Sequence, residues 1–480
     1  MDHFPYADAV NHLARYRLIA DYLAGHSTIP MEFRFLPTGY IAGDLLGVGL
    51  LHLFPAGFAA RLLALLALLI PSIGVYVLAG SLLEENRDVV GVLPVLSLNW
   101  YLFYGFFNYL IGLGFAYFFL AWWWKLRDVN RPSTLAVTAV GIVVIGLWHL
   151  AAVAIALTVI WTHAIWSTWN KGRNRSGAPW TSMLPIWVIP LTAAMAGFSF
   201  AIVSRMLVEG SGSPVAESPE MMFRTPFEKA MQFLSPIYVF SLAQALLMVG
   251  TLSFAFVACW IEGRRSSRRG PLFLLTGAML LFFFLVFPVE MGGVYDVDVR
   301  FLLPGYVFLL FWAAPRTRVS SWVLRLVTLG VVVHSAVTYT HMRTIDESLG
   351  DLAEVIDALP NGVNVVALVA TESRGRVDPE RHFIFWHTIQ HGGLANTMFT
   401  AEHGGHLAHF MVSNLPYDVP LVWIPGVNDP DWHRVAEDYQ YAVTIGARLS
   451  AGTQAQIGAE EILSRGQSTL YLIADPPLPR

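Results

Sequence analysis

The chain has 480 residues, of which 55% are hydrophobic and 13% charged, and its mean hydropathy is +0.54. A soluble globular domain usually carries about 25% charged residues, so this composition excludes a single soluble domain. Residues 1–340 carry a net charge of +5 and residues 341–480 a net charge of −9, which predicts a membrane part followed by an acidic soluble part. The single cysteine, Cys259, excludes a disulfide framework. The sequence also lacks a basic stripe interleaved with aromatic residues, which disfavours nucleic acid as a partner.

Residues 1–57 are predicted to form helices that lie at the membrane interface. They are too polar to span a bilayer and too apolar to leave it, and the stretch 40–54 is apolar except for Asp44. Apolar residues recur at helical spacing at Leu13, Tyr16, Ile19 and Leu23.

The segment 58–340 is predicted to be a transmembrane domain, because a helix needs about 20 apolar residues to cross a bilayer. The runs that meet this criterion are 58–80, 88–104, 106–124, 134–149, 150–169, 183–204, 234–261, 271–289, 299–314 and 319–340. They predict an all-α polytopic bundle of about 10–11 transmembrane helices. The stretch 133–169 has basic residues at both ends, so it should hold two short helices that turn near Trp148 and His149.

The distribution of basic residues predicts which loops face the cytoplasm of the inner or plasma membrane. The dense basic loops lie around Lys125, Lys171, Arg264 and Arg316, which places residues 1–57 and everything after residue 340 on the extracytoplasmic face. The chain would then begin outside the cell, so this topology predicts one more helix before the first residue.

The segment 341–480 is predicted to be an extracytoplasmic soluble α/β domain. Ile345–Leu359 has the pattern of an amphipathic helix, and Val363–Val369 and Ser468–Ile473 have the pattern of strands.

Three groups of residues could carry chemistry. In the first, Asp8, His12 and Arg15 are spaced at i, i+4 and i+7 and share one helix face. Such a carboxylate and imidazole can relay a proton or bind a divalent metal such as Mg or Mn. The alternative interpretation is an interfacial helix whose polar face meets water, with Asp8 near its positive end.

The second group is the aromatic turn formed by Trp100–Tyr109 with Asn99. Such a turn is typical of an interfacial aromatic belt, but Gly105 and the amides of Asn99 and Asn108 could contact a lipid or a sugar. His149, next to Trp148, is a further candidate for substrate binding, although a lone imidazole is more often a satisfied polar contact.

The third group is a short loop before a predicted span, which holds the acids Glu290, Asp296 and Asp298, followed by Arg300. Ionisable residues at the edge of a span are costly and tend to mark sites. An arginine there can bind a phosphate in two parallel hydrogen bonds, whereas an Asp298–Arg300 ion pair would be purely structural.

This pattern resembles the GT-C class of membrane glycosyltransferases, through the Asp8–Arg15 segment, the turn Gly105-Phe106-Phe107-Asn108 and the sequence Asp298-Val-Arg300. The resemblance implies transfer of a sugar from a polyprenyl-phosphate carrier to a glycan, lipid or protein acceptor of the cell envelope. It places Asp8 in the catalytic or metal-binding role and Arg300 at the carrier phosphate. Many members have two adjacent acids where this sequence has Asp8 alone.

Two functions of other classes are compatible with the same sequence. A transporter or flippase for a lipid-linked sugar would use the same outer cavity without chemistry, although no inverted repeat is visible. A non-catalytic subunit of envelope assembly would use the acidic tail to bind partners.

Overall fold

A computed structural model describes residues 6–27, 31–33, 39–83, 97–127, 131–174, 184–210, 221–265, 271–290, 295–314, 320–370, 377–396, 410–412, 416–417 and 419–473. Helices dominate these residues, and the strands are confined to two short segments and one small sheet.

The N-terminal segment forms two helices, α1 (Ala7–Leu23) and α2 (Ile41–Leu53), which pack against each other. A three-residue strand, β1 (Met31–Phe33), lies between them in the chain. The helices are present as predicted, but α1 differs from a helix that lies on a surface with its polar face in water. Its polar residues Asp8, Asn11 and Arg15 are buried, so the polar face of α1 is an interior surface of the protein.

A series of apolar helices follows. They are α3 (Ala56–Leu82), α4 (Trp100–Tyr104), α5 (Phe107–Leu126), α6 (Pro132–Trp148), α7 (Leu150–Asn174), α8 (Leu184–Gly210), α9 (Pro226–Gln232), α10 (Leu242–Arg265), α11 (Leu272–Val286), a 3₁₀ turn (Val299–Phe301) that leads into α12 (Leu302–Ala313), and α13 (Ser321–Asp357). Each predicted span overlaps one of these helices. The span 234–261 begins eight residues before α10, in turns and bends, and residues 88–96 of the span 88–104 lie outside the described residues.

Five of these helices, α3, α5, α7, α10 and α13, are long and apolar enough to cross a membrane. Shorter apolar helices accompany them, including α6, α11 and α12. Many large apolar side chains on the helices are exposed, which is typical of surfaces that face lipid; examples are Ile73, Phe198, Met195, Leu246, Phe282 and Leu329. The described helices therefore have the character of a multi-pass membrane bundle.

The bundle interior relies on small residues where helices approach closely, as in other membrane proteins. Gly74 of α3 lies against the backbone of Gly114 in α5, and a β-carbon at Gly74 would come within 2.6 Å of the Gly114 carbonyl oxygen. The predicted turn between α6 and α7 is confirmed at His149, whose extended backbone separates the two helices.

The C-terminal part is an α/β unit, as predicted. Helix α13 runs without interruption through residue 340, where the sequence predicted a domain boundary, and leads into the sheet. The strands are β2 (Val365–Val369), β3 (Phe410–Val412), β4 (Tyr441–Ile445), β5 (Ala459–Arg465) and β6 (Ser468–Ile473), and the short helices are α14 (Pro379–Phe383), α15 (Trp386–His391), α16 (Trp432–Asp438) and α17 (Ala451–Ile457).

The main sheet has the order β2-β4-β6-β5, with β2 and β4 parallel and the other neighbours antiparallel. Both faces of β2 are buried. Val365, Ala367 and Val369 belong to a core that continues into the helical bundle, whereas Val366 and Leu368 belong to a second core on the other face. The sheet is therefore covered on both sides.

The N-terminal segment is attached to the C-terminal unit at two places. Strand β1 pairs antiparallel with β3, with Met31 opposite Val412 and Phe33 opposite Phe410. Helix α1 also packs against α14 and α15. Residues from the two ends of the sequence therefore meet around α1.

Candidate functional site

Asp8 lies between two imidazoles that come from different parts of the chain. Its Oδ2 is 3.8 Å from Nε2 of His12, one turn further along α1, and its Oδ1 is 3.9 Å from Nδ1 of His382 in α14. Both distances exceed a hydrogen bond but allow one small polar group to contact the carboxylate and an imidazole together. The carboxylate is therefore flanked by groups that can share a substrate with it.

The environment of Asp8 changes its acidity. Burial raises the pKa of Asp8 from 3.8 to about 7, and the positive charges of Arg300 and Arg15 oppose that rise. Burial also lowers the pKa of His382 to about 4, and the neighbouring Arg381 adds to this effect. At neutral pH, Asp8 therefore exchanges a proton readily while His382 is uncharged.

Arg15 forms a buried ion pair with Asp44 of α2. Both side chains are almost fully excluded from solvent, so each needs the other to compensate its charge. The pair joins α1 to α2 and holds the guanidinium of Arg15 close enough to influence Asp8. Arg15 thus lies on the same helix face as Asp8, as predicted. Its carboxylate partner, Asp44, was not among the predicted site residues.

Two glycines allow the site helices to approach closely. Gly43 of α2 lies directly against the amide of Asn108, where a β-carbon would collide with the side chain. Gly105 adopts a left-handed backbone (φ +99°), and a β-carbon there would collide with the backbone of Ala9. The aromatic turn before Asn108 therefore contacts α1, and the Asn108 amide lies next to the hydroxyl of Tyr16.

Arg300 is buried in the 3₁₀ turn and is held from several sides. Its Nη1 is 2.9 Å from Nε2 of His149, and its Nη2 donates to the carbonyl of Tyr295 at 3.1 Å. The guanidinium stacks over the ring of Phe106, 4.9 Å from its centroid. Tyr109 fixes the backbone by donating to the Arg300 carbonyl at 2.5 Å. Within the described residues, Nε of Arg300 is buried and makes no hydrogen bond.

The ring of His149 caps the next helix and faces Arg300. Its Nδ1 lies 3.0 Å from the backbone N of Ala151, and its Nε2 lies 2.9 Å from Nη1 of Arg300. A guanidinium is only a donor, so Nε2 of His149 accepts a hydrogen bond from Nη1 of Arg300. His149 therefore orients the guanidinium of Arg300, whose buried Nε is left as a donor for an anionic oxygen.

Asp298 and Asp296 belong to a separate ionic cluster. Asp298 has no exposed side-chain surface, and it accepts hydrogen bonds from Lys229 at 2.6 Å and Arg224 at 3.2 Å. Arg224 also pairs with Asp296, and Lys229 donates to the carbonyls of Phe284 and Phe287. These contacts connect the segment around α9 to the 3₁₀ turn.

Glu290 lies at the edge of this region rather than beside Asp8. Its backbone forms a bridge with Met222, and its side chain hydrogen-bonds to Tyr295. Burial and this contact with Glu290 both raise the pKa of the Tyr295 phenol. The three acids of the predicted loop thus contact residues of the 221–229 segment and Tyr295.

The structure brings together Asp8, His12, Arg15, Asn108, His149 and Arg300 and places Asp296, Asp298 and Glu290 in the neighbouring cluster. Sequence reasoning missed Asp44 and His382. Asp44 had a usable signal, because it is the lone acid in an apolar stretch. His382 had none, because its position beside Asp8 depends on packing between distant parts of the chain.

The described residues around Asp8 do not fit a Mg or Mn ion. These ions prefer several oxygen ligands, but Asp8 offers a single carboxylate here and the carboxylate of Asp44 is occupied by Arg15. Arg15 and Arg300 would also repel a dication. Among the described residues, no group of three or more histidine, cysteine or acidic side chains is arranged to hold a metal.

Comparisons of the chain with models of protein families, with curated protein sequences and with solved structures gave no match.

Proposed function

We propose that the protein is a membrane glycosyltransferase similar to the GT-C class, which moves a sugar from a polyprenyl-phosphate carrier to a hydroxyl of an envelope glycan, lipid or protein. The observation that carries the proposal is the buried carboxylate of Asp8, whose pKa is raised to about 7 beside the fixed cation of Arg300. A base with a pKa near the working pH is efficient in proton transfer.

In the proposed reaction, the acceptor oxygen attacks the anomeric carbon of the sugar and its proton passes to Asp8. The bond from the anomeric carbon to the phosphate oxygen breaks, and its electron pair leaves with the polyprenyl phosphate. The electrons balance without a metal ion, because the leaving phosphate takes up the negative charge.

Arg300, oriented by His149, is proposed to bind the carrier phosphate. Nη1 of Arg300 donates to Nε2 of His149 at 2.9 Å, and the buried Nε of Arg300 can donate to a phosphate oxygen. The ring of Phe106 and the hydrogen bond from Tyr109 hold the arginine in place before the substrate binds. Such preorganised donors stabilise charge that develops on a leaving group.

The proposed site should lie at the extracytoplasmic surface of the inner or plasma membrane. A sugar on a polyprenyl phosphate has its reactive carbon at the level of the lipid headgroups, so the reaction must take place at that depth. The predicted topology, with basic loops in the cytoplasm, supports this orientation.

The experiment is a transfer assay on the full chain purified in detergent. Synthetic polyprenyl-phosphate pentoses and hexoses serve as donors, octyl glycosides as acceptors, and the released polyprenyl phosphate is measured. Asp8→Asn should lose at least 100-fold in rate, because it removes the base. Asp21→Asn is the matched control, since Asp21 lies on the same helix and pairs with Arg17 away from the site.

Two outcomes would overturn the proposal. If the wild-type protein releases no carrier from any donor but moves the donor lipids across the bilayer of liposomes, it is a transporter. If it does neither, a non-catalytic role in envelope assembly is favoured. Full activity of Asp8→Asn would exclude Asp8 as the base.

A further inference from the structure

His382 is the residue of the site that comes from the C-terminal part of the chain. Helix α14 carries it, and α14 packs directly against α1. Its Nδ1 is buried and makes no hydrogen bond within the described residues, although it is 3.9 Å from Oδ1 of Asp8. A buried polar atom of this kind usually has a partner in the working protein.

The distance between these two atoms fits one bridging hydroxyl group. A hydroxyl oxygen about 2.8 Å from each atom spans this gap when the angle at the oxygen is about 90°. The hydroxyl would donate its proton to Asp8 and accept a hydrogen bond from the N–H at Nδ1 of His382.

We propose that His382 binds the acceptor hydroxyl at Asp8, so that the C-terminal unit supplies part of the acceptor subsite while Arg300, oriented by His149, binds the carrier. This inference rests on the function proposed above. The attachment of α1 to the C-terminal unit, through α14 and through the pairing of β1 with β3, keeps His382 in register with Asp8.

The test compares two substitutions, one that retains a hydrogen-bond donor and one that retains the ring. His382→Asn keeps a polar N–H close to the position of Nδ1, whereas His382→Phe keeps the ring shape and loses the hydrogen bond. We expect His382→Phe to raise the KM for the octyl glycoside acceptor about tenfold, the loss typical of one hydrogen bond in a buried site. His382→Asn should remain within about threefold of the wild-type KM, and neither variant should change the KM for the carrier lipid.

The control is His433→Phe, which changes an exposed imidazole in the same C-terminal unit, where the ring of His433 pairs with Glu437. It should leave both KM values unchanged. Thermal unfolding in detergent establishes that all variants are folded.

The possible outcomes are distinct. An unchanged acceptor KM in His382→Phe overturns the role of His382 and leaves the proposed function intact. An equal loss in both variants, or a rise in the carrier KM, assigns His382 a structural role and also overturns the inference. A wild-type protein that transfers no sugar overturns the proposed function and this inference with it.

Discussion

Replacing Asp8 with asparagine should abolish transfer and stabilise the fold at the same time. The pKa of Asp8 is raised from 3.8 to about 7 because burial disfavours its charged form. A group with a raised folded pKa contributes stability that is complete below the unfolded pKa and lost as the pH rises through the folded pKa. Above pH 7 the ionised carboxylate therefore destabilises the native state, whereas asparagine remains neutral at every pH.

The size of the effect follows from the shift. A shift of about three pKa units, at 1.36 kcal/mol per unit, gives about 4 kcal/mol. This value is an upper limit, because 12% of the Asp8 side chain is exposed to solvent that screens its charge. Linkage with these two pKa values predicts that the advantage of Asp8→Asn grows by about 2.5 kcal/mol between pH 5 and pH 8.

The assay is denaturant unfolding in mixed micelles at pH 5 and pH 8, for the wild type, Asp8→Asn and Asp21→Asn. The groups that face Asp8 are His12, His382, Arg15 and Arg300. Of these, His382 stays neutral above pH 5. The comparison is repeated with His12→Gln, because an imidazolium beside Asp8 would favour the carboxylate. An Asp8→Asn variant that is less stable than the wild type at pH 8, or an advantage that does not increase with pH, would refute the burial argument.

Two further predictions concern the cations of the site. Asp44→Asn should lower the unfolding free energy by about 3–5 kcal/mol, because the buried charge of Arg15 loses its partner, and Arg15→Met combined with Asp44→Leu should recover most of this loss in the same unfolding assay. Arg300→Lys should lower kcat/KM for the carrier lipid by about 10–100-fold in the transfer assay with little change in the acceptor KM, because lysine cannot keep the planar set of donors; equal values for the two proteins would exclude a fork-like contact with the phosphate.

The bundle was largely predictable from the sequence, because an apolar run of about 20 residues has few other stable structures. The turn at His149 followed from basic residues at both ends of one apolar stretch, and the structure places the helix break there. Strand β6 was predicted with its observed bounds, Ser468–Ile473, because its alternation and flanking turns are local signals.

The environment of α1 was not predictable in the same way. A helix with polar residues on one face is normally interpreted as half exposed, yet Asp8 and Arg15 are buried. Their burial depends on Asp44 in α2 and on α14 from the C-terminal unit, and no local pattern records such contacts. In the same way, the sequence offered Arg300 as the partner of Asp298, whereas Lys229 and Arg224 contact it.

The ionic clusters around Asp298 and around Asp8 differ in how completely their polar groups are paired within the protein. Asp298 receives two cations and the backbone N–H of Val299, so substrate has nothing to add there. Around Asp8, by contrast, Nε of Arg300 and Nδ1 of His382 are buried without hydrogen bonds among the described residues. A buried polar atom without a protein partner destabilises a fold unless water, an ion or a ligand completes it. An anionic oxygen at Arg300 and a hydroxyl between Asp8 and His382 would give these two atoms their missing hydrogen bonds. A phosphate oxygen and an acceptor hydroxyl are also the two groups that sugar transfer from a lipid phosphate brings together.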